Sequence, residues 1–120
     1  MSVYIDDAFI DATVGGAERR FRSRWCHLVA DSTEELLQFA SLVGMDHRWL
    51  QRRGEAGEHF DVPEPRRAGV IAQGAIEISW RESVALVRAH RAGRMFDLAG
   101  LRAAGQPASD SASATTVRIP

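Results

Sequence analysis

Between Trp25 and Met45 the spacing of apolar residues changes from that of a strand to that of a helix. Cys26, Leu28, Val29 and Ala30 form a short apolar run that stops at Asp31 and predicts a buried strand. Leu36, Phe39, Ala40 and Val43 then recur at the spacing that lines one face of a helix. Ser32 followed by Glu35 is a capping-box pattern, and Gly44 is a ready left-handed stop. A strand that ends in an acid and feeds a helix is a common setting for a ligand site.

On the N-terminal side, Val3, Tyr4 and Ile5 predict a compact strand closing on Asp6 and Asp7. The stretch that follows, with Gly15 and Gly16, reads as a loop. From Arg19 to Trp25, Arg20, Arg22 and Arg24 alternate with Phe21, Ser23 and Trp25, so an extended backbone would carry one basic and one mostly apolar face. Beyond the central helix, residues 46–51 suggest a short helical turn that tucks Trp49 and Leu50 under the core. A polar, glycine-containing loop then leads to His59, Phe60 and Asp61. Pro65 fits the first turn of a helix carrying Ala68, Val70, Ile71 and Ala72 inward and stopping at Gly74. A third strand is predicted from Ala75 to Ile78, with Ile76 and Ile78 on one face. Ser79 and Glu82 repeat the capping-box pattern and open a helix through Val84 and Val87 to about Arg91. Met95, Leu98, Ala99 and Leu101 fit a short further helix.

Helices lying between strands favour an α/β layer arrangement. The expectation is about three short strands, largely parallel, with three to four helices. Residues 1–104 form one domain in this reading, and 105–120, small and polar, form a flexible tail. Parallel strands would bring Asp6, Asp7, Asp31 and Ser79 to one edge of the sheet, around a single crevice.

Composition narrows the classes. The chain has 120 residues and a formal net charge of −1, so bulk charge implies no pull toward nucleic acid or an anionic membrane. All 15 basic side chains are arginine, which fits a GC-rich coding bias better than selection for bidentate anion contacts. The single cysteine, Cys26, excludes an internal disulfide and a metal-binding cysteine pair. No basic leader with an apolar run and no membrane-length apolar segment is present, so a reduced cytoplasmic compartment is the default expectation.

Each candidate for chemistry has a bland counterpart. Asp6 at a first strand end suits metal-dependent phosphotransfer, and it also suits a turn. His27 lies in an apolar strand, where core histidines are common. Asp31 needs no role beyond an N-cap. His59 and Asp61, two residues apart, project to one side of an extended segment and could share a metal or a proton. The Arg20, Arg22 and Arg24 face suits a phosphate, a nucleic-acid backbone or a solvated sheet edge. Arg48 and Trp49 suit a ligand clamp or plain packing. Walker and dinucleotide glycine patterns are absent, and no nucleophile-elbow glycines flank Ser32, Ser79 or Cys26.

Several motifs carry a resemblance: VYIDD, WCHLVAD, EELLQFA with GMDHRWLQ, HFD, and AIEISWRE. As a set they resemble a family of small bacterial and phage proteins catalogued as domain-of-unknown-function family 4031. The likeness spans most of Val3 to Glu82. It implies no activity, cofactor or partner. The polar positions it matches are His27, Asp31, Trp49, Gln51, His59 and Asp61.

Two function classes follow. The first is a metal-assisted hydrolase or phosphotransfer enzyme acting on a nucleotide or phosphoester. His27, Asp31, His59 and Asp61 would converge, with Asp6, around a divalent ion, and arginines would neutralise phosphate. The second is a non-catalytic module binding an anion or nucleic acid through helix N-termini and the arginine face. A small phosphate-containing ligand, nucleic acid and self-association stay open as partners, and no membrane is indicated.

Overall fold

In a computed structural model of the chain, residues 2–15 and 20–105 are described. The order is β1 (Val3–Ile5), β2 (Ile10–Gly15), β3 (Arg20–Ala30), α1 (Thr33–Leu42), a 3-10 turn (His47–Trp49), β4 (Phe60–Pro63), α2 (Glu64–Ala72), β5 (Ile76–Glu77), α3 (Trp80–Arg91) and α4 (Leu98–Gly105).

The five strands make one mixed sheet built on β3. Leu28 is partnered by Ile5 and by Phe60, and Trp25 by Ile10 and by Pro63. A strand residue has only two flanks, so β1 and β2 occupy the same edge of β3 in succession, and β4 takes the other edge. Between β1 and β2 the register slips by two residues, from Ile5↔Leu28 to Ile10↔Trp25. This break holds Phe9 at φ 47°, a conformation rare for a residue with a side chain. The guanidiniums of Arg24 and Arg67 lie 4.8 and 5.3 Å from the centre of its ring.

β1, β3 and β5 share a sheet, as the apolar runs imply, but the largely parallel arrangement expected of three strands is not what forms. Among the described residues only β1 and β5 pair in parallel, and β3 runs antiparallel to β1, β2 and β4. The segment that reads as a loop around Gly15 is strand β2, which returns the chain so that β3 must run against β1. Asp6 and Asp31 therefore stand at opposite ends of β1, and one crevice cannot contain both.

The alternation of β3 decides which helix covers which face. Cys26, Leu28 and Ala30 point into a core with Ile5, Phe60, Val62, Leu36, Ala40 and Val70, beneath α1 and α2. Val29 points the other way, into a smaller core with Tyr4, Ile78 and Leu86 beneath α3. The helices after Asp31 and Ser79 thus pack on the sheet from opposite sides.

Local signals set the helix ends. Ser32, rather than Asp31, caps α1 by accepting from the Glu35 N–H. At its other end Gly44 takes φ 75°, and the N–H groups of Gly44 and Met45 return to Ser41 and Ala40 carbonyls, a Schellman stop that buries Met45. α3 carries the full reciprocal capping box between Ser79 and Glu82.

Smaller expectations need correction. Ile76 shares the Tyr4 and Ile78 side of the sheet by register, but only Ile78 is in the core, and Ile76 is exposed on a two-residue edge strand. In α3 the buried ridge is Ser83, Leu86 and Ala89, with Val84 outside it. Trp49 is half exposed rather than tucked in, while Leu50 does pack against the core. The expected tail, apart from Gly105 at the end of α4, lies outside the described residues. Among the described residues no helix is long and apolar enough to cross a membrane.

Candidate metal centre

The face of β3 that carries Val29 also carries His27, and its register partner on β4 is Asp61. Directly paired residues project to the same side of a sheet, so the strand alternation itself puts this imidazole and this carboxylate together. His59, two residues before Asp61, falls on the same side. Its backbone is paired in both directions with Gln51, which closes the loop between them. That loop is anchored by Glu58, whose carboxylate accepts from the Thr33 hydroxyl at the start of α1 and from the Gly54 N–H.

One ligating atom from each of His27, His59 and Asp61 lies within 4.8 Å of the other two. The imidazole centroids are 5.1 Å apart and the rings stand at 87°. His59 Nε2 is 3.4 Å from Asp61 Oδ1. The side chains are partly exposed, 29% for His27, 19% for His59 and 16% for Asp61, so a small molecule can reach them.

Each member is held from behind. His27 Nδ1 contacts Asp6 Oδ2 at 2.7 Å, and His59 Nδ1 contacts the Gly57 carbonyl at 2.9 Å. The Gln51 side-chain amide donates to Asp61 Oδ2. Histidines whose second nitrogen is engaged by a carboxylate or carbonyl are the usual form of metal-ligating imidazoles. Two imidazoles and a carboxylate suit zinc, manganese or iron better than calcium or magnesium. The residues present fit such an ion.

The electrostatics follow from these contacts. Burial alone pushes the Asp6 carboxyl up. The His27 ring, the His27 N–H and the Ala8 N–H outweigh it, and its pKa ends below the ordinary 3.8. Burial likewise opposes the charged forms of His59 and Asp61, but their mutual attraction wins. His59 is raised above 6.5, helped by the Gly57 carbonyl and opposed by the Arg52 charge; Asp61 is lowered below 3.8, helped by His27 and Gln51.

The other candidates named from the sequence are dispersed. Asp31 accepts from the Ser2 N–H at 2.8 Å and the Tyr4 hydroxyl at 3.1 Å, at the far end of β1. Asp6 contacts His27 but is not a member of the three-residue cluster. Asp7 accepts from the Trp80 N–H at the start of α3. Arg20, Arg22 and Arg24 share the alternation of Cys26 and Leu28 and so face away from His27. Arg22 pairs with Asp11, and Arg24 with Glu64. Arg48 folds back on Asp46, whose carboxyl it holds down at about 2. Gln51 does belong to the site. Ser83, which no sequence motif marks, donates to Asp6 Oδ2 at 3.1 Å; its only sequence signal is its place one turn after the Ser79 cap.

A mixed α/β sheet carrying a two-histidine, one-carboxylate cluster defines the molecule structurally. The chain belongs to the family described as Protein of unknown function (DUF4031), whose model matches residues 3–90. No curated protein and no solved structure matches it.

Proposed function

We propose that the chain is a metal-dependent hydrolase acting on a nucleotide or other phosphoester, with His27, His59 and Asp61 as the ligands of one divalent first-row ion. The observation that carries this reading is the approach of three ligating atoms to within 4.8 Å of one another on one face of the sheet. An ion held by three protein groups keeps open positions, and there it would supply Lewis acidity that makes water nucleophilic near neutral pH and polarises a phosphoryl oxygen. The chain's own part is to bring the two imidazoles and the charged carboxylate together, with Nδ1 of each ring engaged from behind. Gln51 keeps one oxygen of Asp61 engaged, leaving the other toward His59. Arg52, whose charge is felt at His59, is a cation near the site and is itself paired with Glu55 at 3.3 Å.

The test combines elemental analysis of purified protein, melting curves with zinc, manganese, iron(II) and magnesium, and hydrolysis of simple phosphodiesters by the loaded protein. Support requires a melting shift from a transition metal, lost in His59→Ala, and turnover that follows metal occupancy. Metal binding without turnover on any ester would leave the site and remove the enzyme.

A second reading, a module that holds a nucleic-acid backbone, draws on Arg20, Arg22 and Arg24, which follow one another along one exposed face. Neutralisation of two of them by Asp11 and Glu64 counts against it.

A further inference from the structure

Asp6 is a fully buried carboxylate placed where the edge beside β3 breaks. Its backbone N–H donates to the His27 carbonyl, continuing the β1 ladder by one more bond. The reciprocal bond is not backbone to backbone. The His27 N–H donates instead to Asp6 Oδ1 at 2.8 Å, while the Asp6 carbonyl accepts from Arg67 Nε at 3.0 Å. Oδ1 also takes the Ala8 N–H at 3.2 Å. Oδ2 takes the Ser83 hydroxyl at 3.1 Å and meets the His27 ring at Nδ1, 2.7 Å away.

Backbone N–H groups can only donate, and two of them converge on Oδ1. The Ser83 hydroxyl shares its one hydrogen between Oδ2 at 3.1 Å and the Trp80 carbonyl at 2.8 Å. A carboxylate so surrounded is an acceptor on both oxygens, and a short contact from it to a ring nitrogen requires the hydrogen to be on that nitrogen. We propose that Asp6 is a positioning residue that fixes His27 as the Nδ1–H tautomer and thereby presents a bare Nε2 to His59 and Asp61. Its consequence for metal affinity rests on the metal reading above; the tautomer itself does not. Asp6 is thus set behind the ligand rather than among the ligands. One side chain closes the sheet at the break and orients the imidazole, and Ser83 ties both to the first turns of α3.

Asparagine at this position makes a discriminating variant. Its carbonyl oxygen can still accept from the His27 and Ala8 N–H groups. Its NH2 would face Nδ1, which must then be an acceptor, and the hydrogen would move to Nε2. The ring nitrogens of 15N-labelled protein report the tautomer directly in long-range imidazole correlation spectra at alkaline pH, without any metal. The wild-type protein should show Nδ1–H at His27, and Asp6→Asn should show Nε2–H. In zinc titrations Asp6→Asn should weaken affinity about 10- to 100-fold, and Asp31→Asn, outside the cluster, should leave it unchanged. A wild-type His27 protonated at Nε2 would overturn the proposal even if Asp6→Asn failed to fold. So would an Asp6→Asn protein that kept both the wild-type tautomer and the wild-type zinc affinity. If the tautomer switches as stated but wild-type protein binds no zinc, the positioning role stands and the metal reading falls.

Discussion

His27 and His59 meet edge to face, with ring centroids 5.1 Å apart, although a helix, a 3-10 turn and a loop separate them in the chain. His27 is placed by a central strand and His59 by the two-way pairing of its backbone with Gln51. Neither position depends on an ion, so the cluster should persist in metal-free protein.

His59→Ala should therefore remove the metal-induced rise in melting temperature and leave the metal-free value within a few degrees of wild type. The side chain is partly exposed and its bonding partners are polar, so the expected loss is within about 1 kcal/mol. Paired melting curves with and without zinc check this. A metal-free variant that melts far below wild type would assign His59 to the fold instead.

The His59–Asp61 contact predicts opposite pH trends with and without metal. His59 is raised above its ordinary 6.5, so its share of the stability is complete below that value and lost as pH rises through the raised pKa. Asp61 is lowered below its ordinary 3.8, so its share is complete above that value and lost as pH falls through the lowered pKa. These describe one contact seen from both partners, and it stabilises most between 3.8 and 6.5. Metal binding needs both imidazoles unprotonated, so the zinc-induced shift should grow as pH rises through the His59 transition, while the contact's own stabilisation declines. Melting curves across that range that show no growth of the zinc shift would contradict the assignment of His59 as a ligand.

Asp31→Ala should cost about 1 kcal/mol, because the Tyr4 hydroxyl and the Ser2 N–H lose their acceptor. Zinc affinity should not change. A zinc titration in which this variant behaves like His59→Ala would show that the end of β3 is coupled to the cluster at His27.

Replacing Ser79 by alanine should destabilise by about 1 kcal/mol, since the side chain accepts from the Glu82 N–H in a complete capping box. Denaturant unfolding measures this. An unchanged midpoint would mean that α3 is held by Leu86 packing, the Arg102–Glu82 ion pair and the Asp6 and Asp7 contacts to its first turns without help from the cap.

The Arg20→Ala, Arg22→Ala, Arg24→Ala triple variant separates the two function classes. Its guanidiniums lie on the face away from His27, so the zinc titration should match wild type. Any low-salt affinity for nucleic acid should fall in the variant and steeply with added salt in the wild type. A loss of zinc binding would refute the placement of the two faces.

Much of this molecule is written in local pattern. The apolar run before Asp31 and the period from Leu36 to Val43 give β3 and α1, and two capping-box patterns locate the starts of α1 and α3, although only α3 forms the reciprocal bond. Strand direction is not local. Ile10 to Gly15 read as a loop because Asp11, Thr13 and Gly15 are turn-compatible residues. Only pairing with β3 makes them a strand, and that strand is what turns β3 against β1. The site divides in the same way. His59 and Asp61 share a side by their two-residue spacing, which is legible in the sequence. Asp31 has the alternation of His27 but lies four residues further along the strand, about 13 Å away, which suffices to remove it. Gln51 is marked in the sequence by family resemblance alone, and the roles of Asp6 and Ser83 depend on register, which no spacing rule supplies.

The break between β1 and β2 divides the sheet into parts of unequal contact. Below it, Ile5, Leu28 and Phe60 are fully enclosed. Above it, Ile10 to Gly15 and Arg20 to Arg24 form a two-stranded ribbon whose residues are exposed or half exposed, with Phe21 60% open to solvent. Such a ribbon has little burial to resist local opening. Its amides should exchange with solvent deuterium well before those of Leu28 and Val29, as a separate unit. His27 sits just inside the boundary, clamped by Asp6. The ribbon can therefore open and close many times while the three clustered side chains stay in place.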